Sequence, residues 1–142
     1  MTTKINYLLL LLAFLALISW KTNQTNNIVL QEPGMFKVAV LYPAGEGKTF
    51  DMDYYEKKHM PMVAGLLGKN MKLYEIDKGI GGRGPGEKAP FVAIGYFYVT
   101  DVAEYNKAIA QNREAILGDI KNYTNIQPVV QISEIKQLVY NK

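Results

Sequence analysis

An α+β fold, built as a ferredoxin-like β-α-β-β-α-β protomer, is predicted for this chain by three observations. Strand-like and helix-like patterns alternate in the order strand, helix, strand, strand, helix, strand. The first and third strand segments, Met35–Tyr42 and Phe91–Val99, are apolar at nearly every position, as strands buried on both faces are. The 142 residues, 49% hydrophobic and 20% charged, suffice for one core and leave little room for a second domain.

The elements follow in order. Residues 1–20 read as a leader. Lys4 supplies the positive start, and Tyr7 to Trp20 is apolar but for Ser19. A membrane-spanning helix needs about 20 apolar residues, so this shorter run fits a cleaved signal peptide, the alternative being an uncleaved short anchor. Either places the protein in the periplasm or cell envelope, with membrane contact only through that segment. The chain lacks cysteine, which excludes a lipoprotein anchor. Residues 21–33 form a polar linker, 34–136 the folded domain and 137–142 a tail.

Within the domain, Met35–Tyr42 is the first strand and ends at Pro43. Thr49 or Asp51 caps a helix from near Met52, on which Met52, Tyr55, His59, Met62, Val63 and Leu66 share one face. Pro61 should kink it and Gly68 stop it. Met71–Lys78 is the second strand and Phe91–Val99 the third. Asp101 with Glu104 reads as a capping box. The helix it opens turns Val102, Tyr105, Ile109, Ile116 and Leu117 inward and stops at Gly118. Thr124–Glu134 is the fourth strand, with Pro128 marking an edge or a bulge.

Two helices cover only one face of four strands. The other face, in which Val38, Val40, Phe97 and their neighbours need cover, predicts a homodimer with sheets meeting face to face or closing into a barrel.

Composition narrows the chemistry. Without cysteine and with His59 as the single histidine, thiolate and histidine-rich metal sites are excluded, and no cofactor motif is legible. Setting aside Lys4 and Lys21 leaves 14 basic against 13 acidic residues, with Lys57-Lys58 the only adjacent pair. Phosphate binding needs clustered cations, so nucleic acid is not a partner. Gly79, Gly81 and Gly84 match G-x-G-x-x-G, but a strand follows where a nucleotide site needs a helix. The loop Gly79–Pro90 reads either as a tolerated insertion or as a lid or dimer arm carrying Arg83 and Lys88.

Asp51, Tyr55 and His59 stand four residues apart on one helical face. His59 there has two readings: a packed core imidazole, or a proton shuttle near neutral pH with Tyr55 as hydrogen-bond donor and Asp51 as orienting group. Tyr42, Tyr74 and Tyr96, with Gln131 on the last strand, are candidates to line a pocket for a small apolar or aromatic molecule.

Three stretches carry a resemblance: Leu41-Tyr42-Pro43; the run from Thr49 through Tyr54-Tyr55-x3-His59-Met60-Pro61; and Asp119-Ile120-x-Asn122-Tyr123-Thr124-Asn125-Ile126-x-Pro128-x-x-Gln131-Ile132. Together they resemble the EthD family over about residues 35–135. The resemblance implies a dimeric α/β barrel and a role for His59 and Tyr55, with Asp51 in support. It also implies the family's usual label of reductase, attached to ethyl tert-butyl ether degradation. The related barrels run cofactor-free proton-transfer or redox chemistry on aromatic substrates. The rival expectation is a non-catalytic ligand-binding or accessory protein of the cell envelope. Members of the family are typically intracellular, from which the leader departs.

Overall fold

The computed structural model describes residues 34–139. The leader, the linker before Gly34 and the last three positions of the tail lie outside the described residues. Strand β1 (Phe36–Pro43) is followed by a helical run in three parts: α1 (Met52–Tyr54), a π turn (Tyr55–His59) and α2 (Met60–Leu67). Then come β2 (Met71–Lys78), β3 (Phe91–Val99), α3 (Val102–Gln111), α4 (Arg113–Ile120) and β4 (Val129–Glu134). The sheet order is β2-β3-β1-β4 with every neighbouring pair antiparallel, so the two apolar strands are central. The fold is the expected α+β one, with ferredoxin-like element order and sheet topology.

Directly paired residues share a face of the sheet, which sorts the strands cleanly. Val38 faces Phe97 and Val40 faces Gly95, with Tyr42 opposite Ala93. These point to the helices and form the core with Tyr55, Met60, Val63, Leu67, Tyr105, Ile116 and Tyr123. The opposite, helix-free face carries Lys37, Ala39, Leu41, Ile94, Tyr96 and Tyr98. Val38 and Phe97 are therefore buried within the protomer, contrary to the expectation that they need a partner's cover. The residues left for a partner are the alternate ones.

Several expected boundaries move for local reasons. Pro61 has no N–H to donate and its ring crowds the carbonyl one turn back. The helix answers by widening rather than kinking at that residue: Met60 N–H bonds to the Tyr55 carbonyl in the π turn, and Pro61 sits at the start of α2. Gly68 does end the run, with φ at +57°. The second helix breaks at Asn112, whose side-chain amide donates to the Ala108 carbonyl, and resumes as α4. Gly118 lies inside α4 rather than stopping it, and Leu117 is 48% exposed rather than inward.

Asp101 caps α3 by accepting from the Glu104 N–H, as predicted. The other half of the box is absent. The Asp101 N–H goes to Asn70 Oδ1, which also takes the Thr100 N–H and ties the end of the first helical run to the start of the second. The fourth strand begins at Val129, after Pro128. Thr124 meets only Phe50 in an isolated bridge, since 121–128 is used to wrap the helix ends. β4 is an edge, as Pro128 suggested.

The glycine-rich loop is more regular than its composition implies. Gly79 N–H bonds to the Val92 carbonyl, Gly82 to Glu87, and Glu87 to Gly84 across a turn in which Gly86 has φ +76°. It is an irregular extension of the β2–β3 hairpin. Among the described residues no helix is long and apolar enough to cross a membrane.

Candidate active site

His59 closes the π turn and is 5% exposed. Its Nδ1 lies 2.8 Å from Asp119 Oδ2, at the end of α4 and 60 residues away. The other carboxylate oxygen accepts the Tyr54 hydroxyl at 2.7 Å and the Asn122 amide at 2.8 Å. Asn122 also donates to the Tyr54 oxygen at 3.3 Å. Two donors thus hold one oxygen of Asp119 and leave the other facing the ring.

The imidazole plane is fixed as firmly. The Tyr55 ring stacks on it at 5.6 Å and 17°, and the Tyr123 ring leans on it at 4.6 Å. The two rings stand four residues apart along the π turn, neighbours on one face of the helix. Tyr42 and Tyr123 share a hydrogen bond of 2.8 Å between hydroxyls. The Tyr55 hydroxyl neighbours that of Tyr42 and presses on Gly95 in the centre of β3. A Cβ at Gly95 would stand 2.1 Å from the Tyr55 oxygen, which is why a central strand carries glycine there.

Burial pushes His59 below the ordinary histidine value, against the opposing pull of Asp119. For Asp119, burial works toward protonation, but the hydrogen bonds from His59, Tyr54 and Asn122 together outweigh it and hold the carboxyl low. Both shifts favour a neutral imidazole beside a carboxylate at neutral pH. In that pair Nδ1–H donates to Asp119, and Nε2 keeps its lone pair. Burial also raises the Tyr42, Tyr55 and Tyr123 hydroxyls, so all three stay protonated.

His59, Tyr55 and Tyr42 stand on the wall of a cavity of about 130 Å³ between the helices and the sheet. Its remaining wall is almost wholly apolar, including Val40, Val63, Phe97, Ile109 and Ile116. Leu117, Pro128 and Val130 also line it, and Leu117 and Val130 are themselves half exposed, marking the side open to solvent.

The other candidates lie elsewhere. Asp51 caps α1 by accepting the Tyr54 N–H at 3.0 Å, so it does not touch His59; the orienting carboxylate is Asp119. Tyr74 is 37% exposed on β2 and does not line the cavity. Tyr96 lies on the helix-free face beneath the Lys37 ammonium, 5.2 Å from its ring centre. Gln131 is on that same face, bonded to Ser133. Among the described residues no group of three or more histidine or carboxylate side chains is placed to hold a metal.

Asp119, Tyr54, Asn122 and Tyr123 were missed as site residues by pattern reading. No local spacing connects positions 59 and 119. The only signal was the clustering of Asp119, Asn122 and Tyr123 in the late stretch quoted for the resemblance.

The EthD domain family matches residues 44–127, a span that holds every member of this hydrogen-bonded group except Tyr42. An EthD-like protein of Ralstonia eutropha JMP134, known from a crystal structure, is 43% identical. Its TM-score is 0.70, over 73% of this chain and 94% of its own. An ethyl tert-butyl ether (EthD) family protein of Bacillus halodurans C-125 shares the fold at 19% identity and a TM-score of 0.53, over 70% of this chain and 97% of its own. A comparison with curated proteins finds no match.

Proposed function

The chain belongs to the EthD family, and on that premise we propose that it is a small-molecule enzyme that works by proton transfer at His59. One observation carries the reading. A buried imidazole on the wall of an apolar cavity has Nδ1 engaged by a carboxylate that two further donors hold in place. A histidine that merely fills space needs one partner. This one has its tautomer, ring plane and basicity fixed together, as a general base requires.

In the proposed step a C–H proton beside a carbonyl moves to Nε2, and its electron pair shifts to make the carbonyl an enolate. The imidazolium formed is stabilised by Asp119, and Nε2 then returns the proton at the same or another carbon. The family resemblance also implies redox work in ether degradation. The geometry supports the proton-transfer form, because every group needed to move a proton stands on this chain.

A homodimer belongs to the same proposal. The support is the helix-free face, where Ala39, Leu41 and Ile94 join the exposed Val129 of the edge strand. Light scattering of the full chain should give about twice the monomer mass at micromolar concentration, and a clean monomer rejects this part. Export rests on the leader, residues 1–20. Cell fractionation should find the protein in the envelope or periplasm, and recovery in the cytosol rejects it.

Exchange of the α-hydrogens of a small cyclic ketone into D₂O, followed by NMR, tests the chemistry. His59→Ala should slow exchange by about 10²–10⁴-fold while the melting transition is kept. Exchange that survives the substitution removes His59 as the base. Binding of the ketone with no exchange in the wild type favours a ligand-binding protein instead.

A further inference from the structure

Two residues of the cavity wall carry a polar atom with no hydrogen-bond partner among the described residues: His59 at Nε2 and Tyr105, on α3, at its hydroxyl. Tyr105 is 8% exposed and sits in what the sequence offers as a purely apolar stripe. Buried hydroxyls ordinarily find a partner. Among the described residues no side-chain nitrogen or oxygen is sealed from solvent without one. Each of these two atoms therefore keeps some accessible surface, and both residues line the same cavity. The remaining hydroxyls on the wall are spent, that of Tyr42 on Tyr123 and that of Tyr55 beside Tyr42.

The two free atoms are complementary. Nδ1–H of His59 donates to Asp119, so Nε2 accepts; the phenol of Tyr105 donates. A ligand oxygen that carries a hydrogen satisfies both at once, giving its O–H to Nε2 and taking the Tyr105 O–H on a lone pair. An ether or carbonyl oxygen meets only Tyr105, and a hydrocarbon meets neither. Volume limits the rest of the ligand. Apolar cavities of about 150 Å³ take up one benzene, so 130 Å³ is filled by a single ring.

Resting on the reading of His59 as a base, we propose that the ligand of this site is a single-ring hydroxyl compound of the phenol or enol type, with Tyr105 the residue that orients its hydroxyl on His59.

Isothermal titration of the full chain with phenol, anisole, benzene and 2-naphthol tests this. Phenol should bind. Anisole should bind at least tenfold more weakly, because it leaves Nε2 unpaired, and 2-naphthol should bind more weakly than phenol. Tyr105→Phe should weaken phenol about tenfold, leave benzene unchanged and keep the melting transition. Ile109→Phe, which fills the cavity from the same helix, should abolish binding of phenol and benzene alike. Equal affinity for phenol and 2-naphthol overturns the size assignment. Equal affinity for phenol and anisole, or unchanged phenol affinity in Tyr105→Phe, overturns the hydroxyl assignment, as does failure of all four compounds to bind. These titrations read binding alone. The proton-transfer reading fails separately, through ketone exchange that is absent or indifferent to His59 while phenol still binds.

Discussion

The two faces of the sheet are made by alternate residues of the same strands, yet they are built on different principles. On the helix side Val38, Tyr42, Ala93 and Phe97 are almost wholly buried; Tyr42 holds Tyr123 there, and Gly95 leaves room for the Tyr55 hydroxyl. On the helix-free side Lys37 spans the Tyr96 and Tyr98 rings, and Tyr98 donates to Glu75 at 2.9 Å. One face closes over a cavity. The other is a half-open mixture of apolar side chains and charges that meet tyrosines. Strand alternation alone thus sent Tyr42 to the site and Tyr96 and Gln131 away from it, although all three looked equivalent as candidates.

The sharpest way to break this contrast is to truncate neighbours in β3. Phe97→Ala removes a core ring and should cost about 3–5 kcal/mol in urea unfolding. Tyr96→Ala, one residue away on the other face, should cost about 1 kcal/mol. Equal losses would mean that the helix-free face is as closed in solution as the helix face, which would sharpen the case for a dimer.

Gly95→Ala comes next. Its methyl collides with the Tyr55 hydroxyl and should destabilise by about 1–3 kcal/mol. Adding Tyr55→Phe should recover part of that loss, a coupling that a double-mutant cycle measures. Strict additivity would show that the close approach is relieved elsewhere.

A smaller effect is expected from pH. The folded His59 value lies below the ordinary 6.5, so on acidification the unfolded chain takes up its proton first. Stability should fall as pH drops from about 6.5 through the depressed folded value, then level off with respect to this group. Asp119, also depressed, adds a loss only in more acid solution, as pH falls through its own folded value. Thermal melting across this range should show the first decline in the wild type and not in His59→Gln; an identical profile in both would contradict a buried, neutral imidazole.

The smallest effect is assigned to the hairpin extension. Shortening residues 81–87 to a tight turn should move stability by less than about 1 kcal/mol, because loop length enters only logarithmically. A large loss of dimer mass or of phenol affinity would make this surface segment part of the site or the interface.

Much of the molecule was legible in the order of its residues. The continuous apolar runs at Met35–Tyr42 and Phe91–Val99 and the spacing of Met52, Tyr55, His59 and Val63 are local properties, set by backbone geometry over a few positions. Element order then left few topologies open, and the central place of β1 and β3 followed from their apolar sides. Within one helix, Tyr55 and His59 were correctly placed together. Three things were decided only by the tertiary structure: which carboxylate meets His59, which face each strand tyrosine takes, and that Tyr105 has a hydroxyl to spare. Asp51, four residues from Tyr55, was the natural partner by spacing, but its side chain caps the Tyr54 N–H of its own helix start. Asp119 replaces it because the sheet brings the end of α4 against the π turn. A hydrogen bond across 60 residues leaves no periodic trace in the chain; it exists only once hydrophobic burial has fixed where both helices lie.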